Sequence, residues 1–297
     1  MMNIETKYGS LLDICAPSYY KAGQLESCIV QQKTTIHTAY GDLVPQYHYD
    51  DVRHKHIPSV IFYPDGTLKN IALDQITKIK TPLGIFPAEL LLFHPNGTLK
   101  KLFPLNGKLS AYWSEEMESE LTRPLKFNFA FGAFIKKIIS LTFYNDSKLK
   151  SLTLFPGETV TLTTALGTFV VKTGFSLYPD GTLKSIEPAK PSKIKTPIGE
   201  VRAFDPLSIG IHADTNSLEF TENHQLKKLK TLNQIDVFNA NGDKIDTFSP
   251  LKKRSELDDD IYFSVPLSLE FKDGCLHIEH QLKHSYKLAN HTFAISA

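Results

Sequence analysis

Residues 63–69 read YPDGTLK, and residues 178–184 read YPDGTLK again, 115 residues later. Residues 78–84 read KIKTPLG, and residues 193–199 read KIKTPIG at the same offset. Two seven-residue matches at one offset mark internal repetition, which has to be read before any single element. Looser copies of the first stretch follow: FHPNGTLKKL at 93–102, FYNDSKLKSL at 143–152, FTENHQLKKL at 220–229 and FKDGCLHI at 271–278. The second recurs as TAYG at 38–41, TALG at 164–167 and NANG at 239–242.

The spacing of these marks alternates. Gly41 to Gly66 is 25 residues, Gly66 to Gly84 is 18 and Gly84 to Gly97 is 13. Gly167 to Gly181 is 14, Gly181 to Gly199 is 18, Gly199 to His224 is 25 and His224 to Gly242 is 18. The unit is a short arm plus an arm of 18, and the short arm is twice expanded to 25.

Each mark is a turn for a physical reason. Pro fixes φ, Asp offers a local side-chain acceptor, and Gly supplies φ > 0. Apolar residues alternate before the turn, as in Val60 and Phe62, Leu91 and Phe93, or Phe175 and Leu177. Period two is the signature of a half-buried strand. After the turn the apolar residues stand three apart: Leu68 and Ile71, Leu99 and Leu102, Leu149 and Leu152, Leu183 and Ile186, Leu226 and Leu229. Three is not a strand period, so a bulge or corner has to restore the phase. A Lys follows each turn (Lys69, Lys100, Lys150, Lys184, Lys227), which reads as edge protection against strand aggregation. Helix signals are few. SEEMESEL at 114–121 has a Ser cap and an acidic first turn, and 249–257 is a weaker candidate.

The expected fold is mostly β. Tandem antiparallel hairpin or solenoid-like repeats would form a stacked sheet or barrel-like array in two related halves, because one hairpin cannot bury its apolar face alone. The expected organisation is an N-terminal segment 1–37, a first half 38–147, and a second half 148–297 with C-terminal strands. The pattern F-[YH]-P-[DN]-G-T-L-K-x-[LI] followed by T-P-[LI]-G resembles bacterial repeat proteins whose units read FHPNGxLKSxxL. It is loosely similar to MORN-variant hairpin repeats, without their paired Gly-x-Gly. The resemblance covers roughly residues 38–242 and implies a β architecture, with no activity and no catalytic residue to carry over.

Composition bounds the partners. Among 297 residues, 33 Lys and Arg stand against 32 Asp and Glu, a net charge of +1. That balance argues against a general nucleic-acid binder. With 41% hydrophobic residues the chain is too apolar for disorder. No stretch is long and apolar enough for a membrane span, and no secretory leader is recognised at the N-terminus. Cys15, Cys28 and Cys275 show neither a disulfide framework nor zinc spacing, so free thiols in a cytoplasmic protein are the expectation.

The sharpest polar cluster, HYDDVRHKH at 48–56, lies in the first expanded arm. His48, His54 and His56 are candidate ligands for a divalent metal ion, with His212 of the second expanded arm as a fourth. Tyr47, Asp50, Asp51, Arg202, Asp205 and Asp214 are candidate binding residues from the same two arms. Insertions in repeat arrays often form a binding face. Cys275, His277 and Glu279 share one face of an expected strand. The acidic runs 115–118 and 258–260 lack a calcium-loop pattern. Trp113 beside Tyr112 could stack on a sugar, although a lone Trp usually belongs to a core. The functional expectation is a non-enzymatic binding or scaffolding protein for a protein or small-molecule ligand. The alternative is a metal- or acid/base-dependent lyase or hydrolase using the two His/Asp-bearing arms.

Overall fold

The structure is a computed structural model describing all residues except 1, 51, 108–111, 209, 211, 255–259, 281 and 297. Strand accounts for 57% of the chain, in antiparallel hairpins, and one helix forms among the described residues. Two compact units divide it: Met1–Leu125 with Lys137–Phe155, and Lys126–Lys136 with Pro156–Ala297. Residues 1–37 fold within the first unit, as do residues 148–155.

In the first unit Ile14–Tyr19, Leu25–Val30, Val60–Phe62, Leu68–Thr81, Gly84–Phe93, Leu99–Phe103, Ile138–Phe143 and Leu149–Leu154 lie side by side in chain order. This is a meander, because each turn returns the chain beside the strand it has just left. Among the described residues no pairing joins Ile14–Tyr19 to Leu149–Leu154, so the barrel-like alternative is corrected to an open sheet. In the second unit Val160–Thr164, Gly167–Leu177, Leu183–Pro188, Leu218–Phe220, Leu226–Thr231, Leu267–Lys272, Cys275–Glu279 and Lys283–Lys287 follow the same rule. The hairpin Ser192–Thr196 and Gly199–Ala203 joins it through Ala203 opposite Thr231.

Among the described residues seven turns share one hydrogen-bond pattern. The first turn residue donates its N–H to the fifth residue's carbonyl, and the fourth donates back to the first. The pattern begins at Tyr20, Tyr63, His94, Tyr144, Tyr178, Thr221 and Asn239, with N···O distances of 2.7–3.1 Å. The fourth place always has φ > 0, which is why Gly dominates there. Ser147 at φ 67 and His224 at φ 61 fill it in the two copies that lack Gly.

The bulge forms where the three-residue spacing demands it. Leu68 lies opposite Phe62 and Asn70 opposite Ile61, so Lys69 is the extra residue. Lys100, Lys150, Lys184 and Lys227 occupy the same place in their hairpins. Leu68 and Ile71 consequently both face the core, at 2% and 0% exposure. Lys69, Lys100, Lys184 and Lys227 lie in strands paired on both sides, so edge protection is not their role. Two of the ammonium groups sit over the aromatic ring of their own turn, Lys69 at 5.6 Å from Tyr63 and Lys184 at 5.7 Å from Tyr178. The last copy, one residue shorter, pairs Lys272 with Cys275 directly and has no bulge. Asp273 and Gly274 take φ 51 and 70 there, the two positive values of a tight two-residue hairpin.

The T-x-x-G turns use threonine as a clasp. At Thr6, Thr38, Thr81, Thr164 and Thr196 the hydroxyl accepts the N–H two residues on and donates to the Gly carbonyl. NANG at 239–242 is not of this kind. It belongs to the seven-turn set, because Phe238 fills the slot of Phe62 and Lys244 that of Leu68. The turn at Tyr20 and the clasp at Thr6 are further copies inside residues 1–37. Gly9 to Gly23 is 14 residues and Gly23 to Gly41 is 18, continuing the unit spacing.

The helix Glu115–Leu121 forms as expected, with Ser114 Oγ accepting the Met117 N–H at 3.3 Å. The weaker helix at 249–257 is corrected. Leu251–Arg254 is a strand paired with Tyr262–Val265, and 255–257 lie outside the described residues. The Ser249 hydroxyl that would cap such a helix donates instead to Gln234 Oε1 at 3.0 Å, and 251–254 pairs with the β-favouring Tyr-Phe-Ser-Val run.

Candidate functional site

The first expanded arm is organised by Asp50. Its Oδ1 accepts the N–H groups of Val52, Arg53 and His54 at 2.6–2.9 Å, and its Oδ2 meets His54 Nδ1 at 2.8 Å. Desolvation pushes the carboxyl up, but these bonds outweigh it and hold Asp50 well below the usual carboxylate range. His48 Nδ1 contacts the carboxylate of Asp74 at 2.9 Å, and Asp74 also accepts the N–H groups of Tyr47 and His48. Tyr47 is half-buried and tilts against the His48 ring at 4.1 Å. His56 Nε2 faces Cys15 Sγ at 3.9 Å. The three histidines therefore take three different partners. Among the described residues no group of three or more His, Cys, Asp or Glu side chains stands as a metal-holding set. Asp51 lies outside the described residues.

The tight loop built on Asp50 sends Arg53 inward. Its Nε donates to Glu118 Oε2 at 2.9 Å, Nη1 to Glu89 Oε1 at 3.1 Å, and Nη2 to both Glu118 Oε1 and Glu89 Oε2. Trp113 Nε1 and the Gly107 N–H complete Glu118, and the Asn106 N–H completes Glu89. All three charged side chains are at least nine-tenths buried. Burial disfavours the guanidinium charge, but hydrogen bonds and charge from Glu118 and Glu89 raise its pKa further still. Burial also raises Glu118, but Arg53 and Trp113 outweigh it and leave the carboxyl below its ordinary range. Trp113 is thus a partner in an ion network, not an open sugar platform. Glu118 faces Arg53, which disposes of calcium binding by that carboxylate.

In the second expanded arm, His212 and Arg202 are exposed. The Arg202 N–H donates to Asn233 Oδ1. Asp205 is buried and receives Lys230 Nζ at 2.7 Å and the Leu207 N–H at 2.9 Å. Asp214 is half-buried on the approach to Leu218–Phe220. Near Asp205, Glu187 is 3% exposed and accepts the Ser217 N–H at 2.9 Å and Ser217 Oγ at 2.6 Å. Desolvation raises its pKa, the Ser217 bonds oppose this, and the charge of Asp205 adds to it. The first arm is thus tied to the sheet by the strand carboxylates Asp74 and Glu89, and the second by its own Asp205 on Lys230 and by the strand carboxylate Glu187 on Ser217.

A site that sequence reasoning missed lies among the turns of the second unit. One cleft of about 480 Å³ is lined by Ala130, Phe131, Thr163, Leu183, Phe220, Asp180 and His224, among others. A second of about 830 Å³ is lined by Leu226, Phe271, Leu288, Lys195, Lys272 and the turn at Asp273. Ala165 and His224 border both. Phe131 belongs to an aromatic group in which it stacks on Phe129 at 5.1 Å and meets Phe175 edge-on at 5.2 Å. Asp180 is held ionised by hydrogen bonds from Thr182 Oγ1 and N–H, with a further contribution from His224. The available signal was the run FNFAFGAF at 127–134, too aromatic for a mere connecting hairpin.

No family model, curated protein or solved structure matches this chain. No helix among the described residues is long and apolar enough to cross a membrane.

Proposed function

We propose that this chain is a non-enzymatic binding protein built from tandem β-hairpin repeats in two related halves, and that the adjoining clefts of the second unit hold its ligand. The repeat reading is supported by the shared turn geometry at Tyr63 and Tyr178, which begin the two identical sequence stretches. The observation that carries the binding reading is the cleft pair itself. Its volumes fall in the range of small-molecule sites, and its lining mixes apolar side chains such as Phe131, Leu183, Phe220 and Phe271 with about as many polar ones, among them Thr163, Asp180, His224 and Lys272. Asp180 and His224 offer one carboxylate and one imidazole, and the Phe131 face offers stacking area.

The enzyme alternative asked His48, His54, His56 and His212 to act together. The separate partners of His48, His54 and His56 favour the binding reading over it.

Ala165 borders both clefts and is exposed, so Ala165→Trp fills them without touching the core. The probe is anilinonaphthalene sulfonate, followed by its fluorescence. The wild-type chain should bind it and A165W should lose most of that binding. Equal binding by both chains, or none by the wild type, refutes the cleft as the ligand site.

A further inference from the structure

We infer that Cys15 and His56 form a reactive thiol–imidazole pair, a site for thiol–disulfide exchange with a low-molecular-weight disulfide. Sequence places these residues 41 apart, and folding brings Sγ to 3.9 Å from Nε2. That is the long end of a sulfur–nitrogen contact, and it shortens as the proton moves, as nucleophile–base pairs in unliganded sites commonly do. The imidazole is positioned from behind. The Tyr49 ring meets it edge-on at 4.7 Å, and the Tyr49 hydroxyl is tied to the carbonyls of Val30 and Gln46, both at 2.9 Å.

The strand presents the sulfur. Cys15 pairs with Ile29, and the register then breaks until Ser18, so Ala16 and Pro17 leave the ladder directly beside it. Cys15 is half-buried and His56 is exposed, which leaves the pair open to a small reagent. Cys28, on the neighbouring strand, differs in each respect. It is fully buried, and desolvation followed by the proximity of Cys15 pushes its thiol up to about 12. Cys275 is half-buried like Cys15, and among the described residues no histidine hydrogen-bonds its sulfur.

In the exchange, Cys15 Sγ gives its proton to His56 Nε2 and attacks one sulfur of the disulfide. A new S–S bond forms, the reagent's S–S bond breaks, and the departing thiolate takes the proton from His56. One disulfide is exchanged for another with no external oxidant. A thiolate generated beside a base in this way is the reactive form of cysteine.

The test uses the whole folded chain and glutathione disulfide at neutral pH, with peptide mapping of the three cysteines over time. Cys15 should acquire the glutathionyl group about tenfold faster than Cys275, a modest share of what a positioned base can supply. His56→Gln should bring the Cys15 rate down to that of Cys275 and leave the Cys275 rate unchanged. A Cys15 rate in the wild type no greater than that of Cys275 overturns the inference without any variant. An unchanged Cys15 rate in H56Q overturns the role of the imidazole.

Discussion

Replacing Arg53 by Met removes the centre of the most buried ion network of the first unit while keeping side-chain length. Four hydrogen bonds to two carboxylates disappear. Glu89 is then left with the Asn106 N–H, and Glu118 with Trp113 Nε1 and the Gly107 N–H. Neutral donors cannot compensate two facing carboxylates that are 10% and 4% exposed. Breaking a buried pair by removing one partner costs about 3–5 kcal/mol. The same physics fixes the pH dependence. In the wild type the Glu118 pKa is depressed, so its stabilisation is present above the unfolded carboxylate pKa and fades as pH falls. In R53M the stranded carboxylates are raised by burial and mutual repulsion, so protonation relieves them. The gap between the chains should therefore narrow from about pH 7 to about pH 5. Trp113 is the single tryptophan and donates to Glu118, so its fluorescence in urea reports on this network directly. R53M combined with Glu89→Gln and Glu118→Gln should recover part of the loss. A cost below about 1 kcal/mol, or one independent of pH, would refute the reasoning.

Glu187→Gln should become progressively favourable as pH rises from about 5 to 8. The folded carboxyl has a raised pKa, so its contribution is full below the unfolded value and lost as pH climbs through the folded one. Thermal melts of both chains across that window check it, and parallel curves would speak against it. Tyr63→Phe removes a hydroxyl that donates to the Phe93 carbonyl of the next hairpin at 2.9 Å. A loss of about 1 kcal/mol in denaturant titration is expected, and a stability equal to the wild type would deny the bond its role.

The hairpins were legible because their information is local. Pro-Asp-Gly, an aromatic before it and an apolar pair three apart after it specify turn, strand and bulge within ten residues. The copy at Tyr20 escaped because YKAGQL keeps only what the backbone needs, a Gly at the fourth place and apolar neighbours. NANG was misfiled because Gly alone does not distinguish the two turns, whereas the residue in the Phe slot does. The site was less legible for a different reason. Arg53 meets Glu89 and Glu118 across 36 and 65 residues, and His48 meets Asp74 across 26. Nothing in a local pattern ranks those partners above a metal ion. The clustering of His and Asp in the arms was real, but strand residues take His48, His56 and Asp205 one by one, through Asp74, Cys15 and Lys230, and Asp50 takes His54 within the arm.

The residue that bulges out after each turn has a consequence for how such a sequence can drift. What that position contributes is a count, one extra residue that turns the outgoing strand over. A mutation of Lys69 changes a surface side chain. Its deletion would present Ile71 and every later odd-numbered core residue of the strand to the wrong face. Selection at these places therefore reads length before identity, and the chain tolerates spelling changes where it cannot tolerate a lost letter.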